Sequence, residues 1–209
     1  MTWADRSRAR IADLWAGNTD GAHDIGHLDR VWRTCRLIAM DEAADPEILA
    51  PAAYFHDAVN LPKNSPDRAT ASRQSADLAV SELAAMGYPQ AKLDAVHHAI
   101  LAHSFSANIP PDTTEARILQ DADRLEALGA IGIARMFLIS GQMGGGLFDA
   151  ADPMALHRPL DDRRFALDHI QTKLVRIADT MQTATGRAIA AERLEWMESF
   201  RTRLLSEIS

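Results

Sequence analysis

The sequence contains a single cysteine, Cys35, among its 209 residues. One thiol excludes an internal disulfide and the paired-cysteine motifs that bind structural zinc. Any metal site in this chain must therefore take its ligands from histidine and carboxylate side chains. The eight histidines and 29 acidic residues are the available donors.

Long apolar runs and clusters of basic residues are also missing. The first residues, MTWADRSRARIADLW, lack the apolar core of a signal peptide, and no apolar run reaches the ~18 residues that a membrane span requires. The formal net charge is −7, and no Lys/Arg block offers a nucleic-acid footprint. We therefore expect a cytoplasmic protein that binds neither membranes nor nucleic-acid polymers. A small phosphate ester stays open as a substrate, because a metal and a few pocket cations can override the overall charge.

Apolar residues recur at helical spacing along most of the chain, and no segment shows strand alternation with hairpin turn signals. The sequence therefore predicts an all-α protein, and its length favours a single domain over residues 1–209. Capping residues and helix breakers set the expected bounds. Five of the predicted helices run over 46–59 with Asp45 as the cap, from Asp67 to a stop at Gly87, from Pro89 through His103, over about 161–181, and over about 184–207. One further helix is predicted from about 113, after an Asp112–Glu115 capping box, through the segment EARILQDADRLEALGAIGIARMFLI to residue 139.

The segment SGQMGGGLFDAADP, residues 140–153, breaks the helical periodicity. Its glycines do not form a phosphate-binding P-loop, because the Lys-Ser/Thr pair that such a loop requires does not follow. The segment is predicted to be a long, mobile, Gly-rich loop that precedes the two C-terminal helices.

A histidine and an aspartate, His56 and Asp57, stand side by side in the otherwise apolar stretch AAYFHDAVN. The dipeptide alone carries little information, because His23 and Asp24 repeat it earlier in the chain. A hydrogen-bonded core histidine beside a solvated aspartate at a helix end would explain the pair equally well. A functional role for His56 and Asp57 therefore needs support from other polar residues that lie on the apolar faces of predicted helices.

Three such residues are present. His27 borders the apolar stripe of its predicted helix, and Asp121 and Asp123 interrupt another strongly apolar helix. An unpaired carboxylate is costly to bury, so these positions call for a compensating cation. Two imidazoles and two carboxylates suit one divalent transition metal, Mn²⁺, Fe²⁺, Co²⁺, Ni²⁺ or Zn²⁺, better than Ca²⁺ or Cu⁺. The helical wheel mildly favours Asp121 over Asp123 as the second carboxylate.

The ordered set His27, His56-Asp57 and an aspartate in ADRLEAL resembles the signature of the HD-domain superfamily of metal-dependent phosphohydrolases. The segments HDIGHLDRVW, HDAVNLPK, AHSFS and QDADRLEALGAIGIAR are similar to a small stand-alone branch that includes bacterial nucleotide pyrophosphohydrolases. The resemblance covers the chain from about residue 20 to the C-terminus. It implies an HD-domain helical bundle with a metal-site core over about 20–130 and C-terminal helices over about 161–207.

The resemblance also implies roles for individual residues. The metal ligands would be His27, His56, Asp57 and Asp123, because the family places its last ligand in the ADRL step, and Asp121 would then support a ligating histidine. The implied reaction is the hydrolysis of a small phosphate ester or anhydride, with a nucleotide as the substrate and one Mn²⁺ as the favoured ion. Pyrophosphate release from a triphosphate and cleavage of a monophosphate ester both stay open.

Substrate and proton-transfer groups are harder to assign. Lys63 and Arg68 follow the His-Asp pair in the segment NLPKNSPDR and are candidates for phosphate contact. Many HD hydrolases have an acidic residue three positions after the aspartate of the pair, where this chain has Asn60. An asparagine cannot act as a general base, so either Asp57 itself, Asp121 or a metal-bound hydroxide handles the proton, or the activity is weaker than in those relatives.

Three more histidines follow in the segment VHHAILAHS. His97 is predicted to be a core residue and His103 to line the substrate pocket. His98 or His103 would be needed for one alternative function, oxygen chemistry at a dinuclear iron site, which some HD relatives perform. A second alternative is a non-catalytic metal- or nucleotide-binding module, which Asn60 favours. The sequence leaves the oligomeric state open.

Overall fold

The computed structural model describes residues 1–17, 24–61, 70–104 and 107–208. Every regular element within these ranges is helical, and an isolated backbone bridge joins Gly146 and Phe165. The all-α prediction is confirmed. None of the helices in the described ranges combines the length and the apolar character needed to cross a bilayer. The chain forms two compact units, Met1–Asp123 and Arg124–Ser209.

Nine α-helices follow one another in the described part of the chain. They are α1 (Trp3–Leu14), α2 (Ile25–Ile38), α3 (Pro46–Phe55), α4 (Ala71–Ala85), α5 (Leu93–His103), α6 (Thr114–Leu125), α7 (Gly129–Gln142), α8 (Val175–Ala178) and α9 (Ala184–Ile208). A short 3₁₀ turn, Gln90–Lys92, precedes α5, and a π-helical turn, Ile170–Leu174, precedes α8.

Helix α3 is the centre of the first unit, where it packs against α1, α2, α4 and α5. Its sequence, PEILAPAAYF, is apolar on nearly every side, and every residue from Leu49 to Phe55 is buried. A helix that is apolar all round needs neighbours on all sides. The C-terminal end of α3, which leads into His56 and Asp57, therefore lies inside this unit.

Pro51 lies within α3 and has no N–H to donate to the carbonyl oxygen of Glu47. The Tyr88 hydroxyl donates a 2.9 Å hydrogen bond to that oxygen instead. This substitute partner keeps the carbonyl paired, so the helix continues past the proline.

The prediction that the third helix extends to residue 59 is wrong, because α3 ends at Phe55. The Ala58 N–H bonds the Phe55 carbonyl oxygen at 3.0 Å, which closes a tight turn instead of a further helical turn. His56 and Asp57 therefore belong to a turn, residues 56–59, that we call the HD turn after its two first residues. Their directions are set by this turn and not by helical spacing.

The prediction of a single helix from about 113 to 139 is wrong, because α6 ends at Leu125 and α7 begins at Gly129, whose φ of 72° is incompatible with a continuous helix.

The predicted capping box before α6 is also wrong. Thr113 Oγ1, one residue after Asp112, accepts the hydrogen bond from Ala116 N at 3.1 Å. Glu115 Oε1 accepts from Asp45 N at 2.8 Å and so bonds the start of α6 to the cap of α3. A threonine hydroxyl caps a helix as an aspartate does, and the sequence offered both.

Two other predicted helix bounds can be compared. The expected cap of α4, Asp67, lies outside the described residues, and α4 ends at Ala85 close to the expected stop. Gly87 follows with a φ of 75°, a conformation that favours glycine. Helix α5 ends at His103 as predicted.

In the second unit, α7 packs against α9. The first residues of the Gly-rich segment 140–153 continue α7, and the loop begins after Gln142. Gly146 N donates to Arg164 O at 2.8 Å, and Ala166 N donates to Gly146 O at 2.9 Å. The loop therefore has backbone partners that the sequence did not indicate.

The helix predicted over 161–181 is shorter than expected, because helical structure begins only at residue 168. The Asp168 carboxylate accepts from Asp161 N at 2.7 Å and from the Arg158 side chain at 2.6 Å. These bonds tie the preceding residues into turns. The last predicted helix, 184–207, matches α9.

Candidate metal centre

Five polar side chains from three helices and the HD turn meet inside the first unit. His27 lies in the first turn of α2, His56 and Asp57 in the HD turn, His103 at the end of α5, and Asp123 on α6. His27 and His56 have no exposed surface, and His103 has 5%. We refer to these five residues as the His/Asp cluster.

The donor atoms of the cluster are evenly spaced. His27 Nε2 and His56 Nε2 lie 3.3 Å apart. Asp57 Oδ2 lies 3.7 Å from His27 Nε2 and 3.6 Å from His56 Nε2, and Asp123 Oδ1 lies 3.7 Å from both. Ligand atoms bonded at about 2.1 Å to one transition-metal ion are about 3.0–3.4 Å apart at neighbouring positions. The observed separations are only slightly larger. His27, His56 and Asp57 form one group of donor atoms that could hold a metal ion.

Backbone contacts orient two of the imidazoles. His56 Nδ1 lies 2.8 Å from Ala53 O, and His103 Nδ1 lies 2.5 Å from Ile100 O. Because a carbonyl oxygen only accepts, each Nδ1 carries the proton and donates it. Each Nε2 therefore points into the cluster as the atom that can bind a metal, the arrangement typical of metal-ligating histidines.

The ends of two helices add to the field at the cluster. His56 follows the last residue of α3, and His103 is the last residue of α5. The C-terminal end of a helix carries a partial negative charge from its carbonyl groups. Two such ends beside two carboxylates favour a bound cation.

The carboxylates and imidazoles shift the pKa values of one another. Burial alone would lower the pKa of His56, but the carboxylates of Asp57 and Asp123 outweigh it and raise that pKa to about 9. Burial would raise the pKa of both aspartates, yet the neighbouring histidines hold the pKa of each well below its usual value. Without a metal, the cluster therefore holds a proton on His56 between ionised carboxylates.

The second His-Asp pair in the sequence has a structural use. The Asp24 carboxylate accepts a 2.7 Å hydrogen bond from His27 N and is the N-cap of α2. The cap fixes the first turn of the helix, in which His27 lies. His23 lies outside the described residues.

On α6, an Asp123 oxygen lies 3.7 Å from the Nε2 atoms of both His27 and His56. Asp121 is fully buried on the same helix. Burial and the charges of both aspartates raise the pKa of the Cys35 thiol.

Of the three predicted substrate-binding residues, the structure describes only His103. Lys63 and Arg68 lie outside the described residues. His103 contacts two other members of the cluster. Its Nε2 lies 3.6 Å from Asp57 Oδ1, and its ring centroid lies 4.9 Å from that of His56. His56, His103 and Asp123 form a second group of donor atoms within 4.8 Å of one another.

The other two histidines of α5 bond elsewhere. His97 Nε2 lies 2.9 Å from Asp77 Oδ1, and the side chain is partly exposed, so the prediction that His97 is a core residue is wrong. His97 lies at the border of the buried face of α5, so its imidazole reaches the surface carboxylate of Asp77 instead of the core. His98 Nε2 accepts a hydrogen bond from Asp112 N at 3.1 Å.

Sequence reasoning missed three residues that contact the backbone beside the cluster. Gln120 Nε2 donates to Ala102 O at 2.8 Å, and the side chains of Trp15 and Ser75 bond the HD turn. Serine, glutamine and tryptophan at these positions match ordinary helix patterns. No sequence signal distinguished them.

Known proteins provide a comparison for this geometry. The HD domain family model matches residues 24–128, which contain the whole His/Asp cluster. YpgQ of Bacillus subtilis (strain 168) is 32% identical over 209 residues, covering 98% of this chain and 93% of YpgQ. A crystal structure of YpgQ in complex with ADP superposes with a TM-score of 0.76 at 33% identity, covering 98% of this chain and 97% of that one. An HD-superfamily hydrolase from Bacillus thuringiensis gives a TM-score of 0.75 at 27% identity, with 98% and 95% covered.

Proposed function

Because the chain belongs to the HD domain family, we propose that it is a metal-dependent phosphohydrolase acting on a small phosphate ester or anhydride, with a nucleotide as its substrate. The observation that carries the proposal is the set of four donor atoms, from His27, His56, Asp57 and Asp123, spaced 3.3–3.7 Å across the measured pairs. Structural neighbours described as HD-superfamily hydrolases support it.

We propose these four side chains as the ligands of one divalent transition metal, with Mn²⁺ favoured over Fe²⁺, Co²⁺, Ni²⁺ or Zn²⁺. Two imidazole nitrogens and two carboxylate oxygens form a donor set of intermediate hardness, which suits these ions. The orientation of His56 Nε2 by the Ala53 carbonyl supports its role, because the ring needs no rearrangement to bind.

When bound, such an ion polarises a phosphoryl oxygen and lowers the pKa of a bound water. The protein holds the reacting groups beside it. The two carboxylate oxygens of Asp57 have different neighbours. Oδ2 lies near His27 and His56, whereas Oδ1 lies near His103. We propose that Oδ2 binds the metal and that Oδ1 takes the proton from the attacking water. In this proposal Asp57 takes the role of the acidic residue that many HD hydrolases have three positions after the aspartate, where this chain has Asn60.

Asp121 is the other candidate for proton transfer. Its side chain has no exposed surface, so direct contact with water or substrate is less suited to it than to Asp57. We propose a supporting electrostatic role for Asp121, in which its charge reinforces the negative field that holds the metal.

A nucleotide substrate is supported by the YpgQ structure, which contains ADP. The cluster is rich in negative charge, so a polyphosphate chain needs cations besides the metal. We propose that Lys63 and Arg68 supply them, since they follow the HD turn closely in the chain. Pyrophosphate release from a nucleoside triphosphate is the form of the reaction that we favour.

The test is a substrate panel with purified protein and Mn²⁺, in which phosphate and pyrophosphate release are measured separately. Asp57→Asn keeps the shape of the side chain and removes its charge, and it is expected to abolish turnover. Asp77→Asn removes a carboxylate from the surface of α4 and serves as the matched control. Equal turnover by the Asp57→Asn variant and the parent protein would refute the proposal.

One observation favours a second candidate, a dinuclear site. His56, His103 and Asp123 form their own group of donor atoms, so His103 adds an imidazole beside the four proposed ligands, and the single free Nε2 of His56 would bind one of the two ions. Metal analysis of the isolated protein separates the two cases, because the proposed hydrolase holds one ion per chain and the dinuclear site two. A non-catalytic module would retain metal and gain thermal stability from nucleotide without turning it over.

We further propose that both units act as a single HD domain. The family model ends at residue 128, but the similarity to YpgQ extends over 98% of the chain, including the region of α7 to α9.

A further inference from the structure

Two side chains outside the His/Asp cluster bind the backbone of the HD turn. Val59 N donates to Ser75 Oγ at 3.0 Å, and Ser75 Oγ donates to Val59 O at 3.3 Å. On the preceding residue, Trp15 Nε1 donates to Ala58 O at 3.2 Å. Three hydrogen bonds from side chains therefore act on the two residues that directly follow Asp57.

These bonds occur where the backbone has left the helix. Helix α3 ends at Phe55, so Ala58 and Val59 lack the regular helical partners that would define their conformation. Ser75 is fully buried on α4, and its hydroxyl uses its donor and an acceptor position on one residue of the turn. The hydroxyl thus pairs with both backbone hydrogen-bonding groups of Val59.

We propose that Ser75, assisted by Trp15, is a positioning residue for the metal centre. By fixing Ala58 and Val59 it holds Asp57 in the orientation that points Oδ2 at the two histidines. This inference rests on the proposed function, since it assumes that His56 and Asp57 bind the metal. Supporting residues outside the ligand set alter metal affinity or activity by about 10- to 100-fold when removed.

A purely structural role for Ser75 is the rival explanation. Under it, the hydroxyl would satisfy Val59 and support folding without affecting the metal ligands. The chain provides a matched control in Ser72, which lies three residues earlier on the same helix and is also buried. Ser72 Oγ is a buried hydroxyl with no hydrogen-bond partner among the described residues. Ser72→Ala therefore removes a hydroxyl from α4 without breaking a bond to the turn.

The experiment compares the parent protein with Ser75→Ala and Ser72→Ala. Mn²⁺ affinity is measured by calorimetry, the visible spectrum is recorded for the Co²⁺-loaded proteins, and hydrogen exchange at the Val59 amide is followed in the metal-free proteins. For Ser75→Ala we expect about tenfold weaker Mn²⁺ binding, a shifted Co²⁺ spectrum and faster exchange at Val59. Ser72→Ala should match the parent protein in all three.

Trp15→Phe keeps an aromatic ring and removes the N–H that bonds Ala58 O, so it tests the same turn from its other side. Like Ser75→Ala, it should weaken Mn²⁺ binding. If Ser75→Ala does not fold, Trp15→Phe provides the test in its place. The positioning role is overturned if Ser75→Ala, or Trp15→Phe in its place, keeps the Mn²⁺ affinity and Co²⁺ spectrum of the parent. Failure of the proposed function gives a different result, because then the parent protein itself binds no Mn²⁺ or turns over no phosphate compound.

Discussion

The Nε2 atoms of His27 and His56 face each other at 3.3 Å, although 29 positions separate the two residues in the chain. Both side chains are fully buried. Two imidazole lone pairs at this distance repel each other unless a proton or a cation lies between or beside them. The nearby carboxylates of Asp57 and Asp123 supply the opposite charge, so the site is stable only with a positive charge inside it.

The first prediction concerns removal of one of these nitrogens. His56→Gln should weaken Mn²⁺ binding by more than about 100-fold, because it deletes a ligand and leaves two carboxylates without their partner. Calorimetric titration with Mn²⁺ measures the effect. His97→Gln, a change to a partly exposed histidine of α5, should bind Mn²⁺ like the parent protein. Unchanged affinity in the His56 variant would exclude His56 as a ligand.

Metal binding should depend steeply on pH. The neighbouring carboxylates raise the pKa of His56 to about 9 in the metal-free protein, so an incoming ion must displace a proton below that pH. The apparent Mn²⁺ affinity should therefore rise about tenfold per pH unit between about pH 7 and 9 and level off above. Titrations in buffers of different ionisation enthalpy should show release of about one proton. A flat affinity profile over this range would contradict the assignment.

The proton on His56 should stabilise the metal-free protein, so the stability of that protein should fall with rising pH, whereas its metal affinity rises. The pKa of His56 is higher in the folded protein than its ordinary value of 6.5, so protonation favours folding. This contribution is complete below about pH 6.5 and is lost as the pH rises to about 9, and a shift of this size corresponds to about 3 kcal/mol. Chemical unfolding in EDTA should show the difference in unfolding free energy between parent and His56→Gln shrinking over that range. A constant difference would be inconsistent with a proton on His56.

Much of this architecture could be predicted from the sequence. The apolar run of α3 required burial on all sides, and the polar residues His27 and Asp123 stood out because they interrupt apolar patterns. Those signals reflect burial, which periodicity reports well. Periodicity mildly favoured Asp121 because it reports burial, and Asp121 is indeed fully buried. Periodicity does not report that an oxygen of Asp123 lies 3.7 Å from the Nε2 atoms of His27 and His56.

Other features depend on contacts between distant segments. The end of α3 at Phe55 follows from a local turn that competes with helix continuation, and the predicted helix was therefore four residues too long. The place of His103 against His56 depends on how α5 packs on α3. Ser75 contributes through a single hydroxyl, and a small residue on a buried helix face is indistinguishable by pattern from one that only fills space.

The N-cap of α2 provides a prediction about the second His-Asp pair. Asp24→Ala removes the side-chain acceptor for His27 N and should lower the unfolding free energy by about 1 kcal/mol. Asp24→Asn retains a side-chain oxygen and should lose only a fraction of that. Thermal or urea unfolding of the metal-free proteins provides the comparison. Equal loss in both variants would show that the charge of Asp24, and not its capping bond, is what matters.

A substitution of His103 tests whether this histidine, which contacts two of the proposed ligands, binds metal or substrate. Its Nε2 lies 3.6 Å from Asp57 Oδ1, the carboxylate oxygen turned away from His27, and so it borders the proposed metal site without belonging to the four-atom set. We expect His103→Gln to keep one Mn²⁺ per chain and to raise KM for the nucleotide about tenfold or more, the loss expected for a hydrogen bond to a charged phosphate group. Steady-state kinetics and metal analysis on the same preparation measure both quantities. Loss of one metal of two would instead place His103 among the ligands of a dinuclear site, because a substrate-binding histidine has no effect on metal stoichiometry.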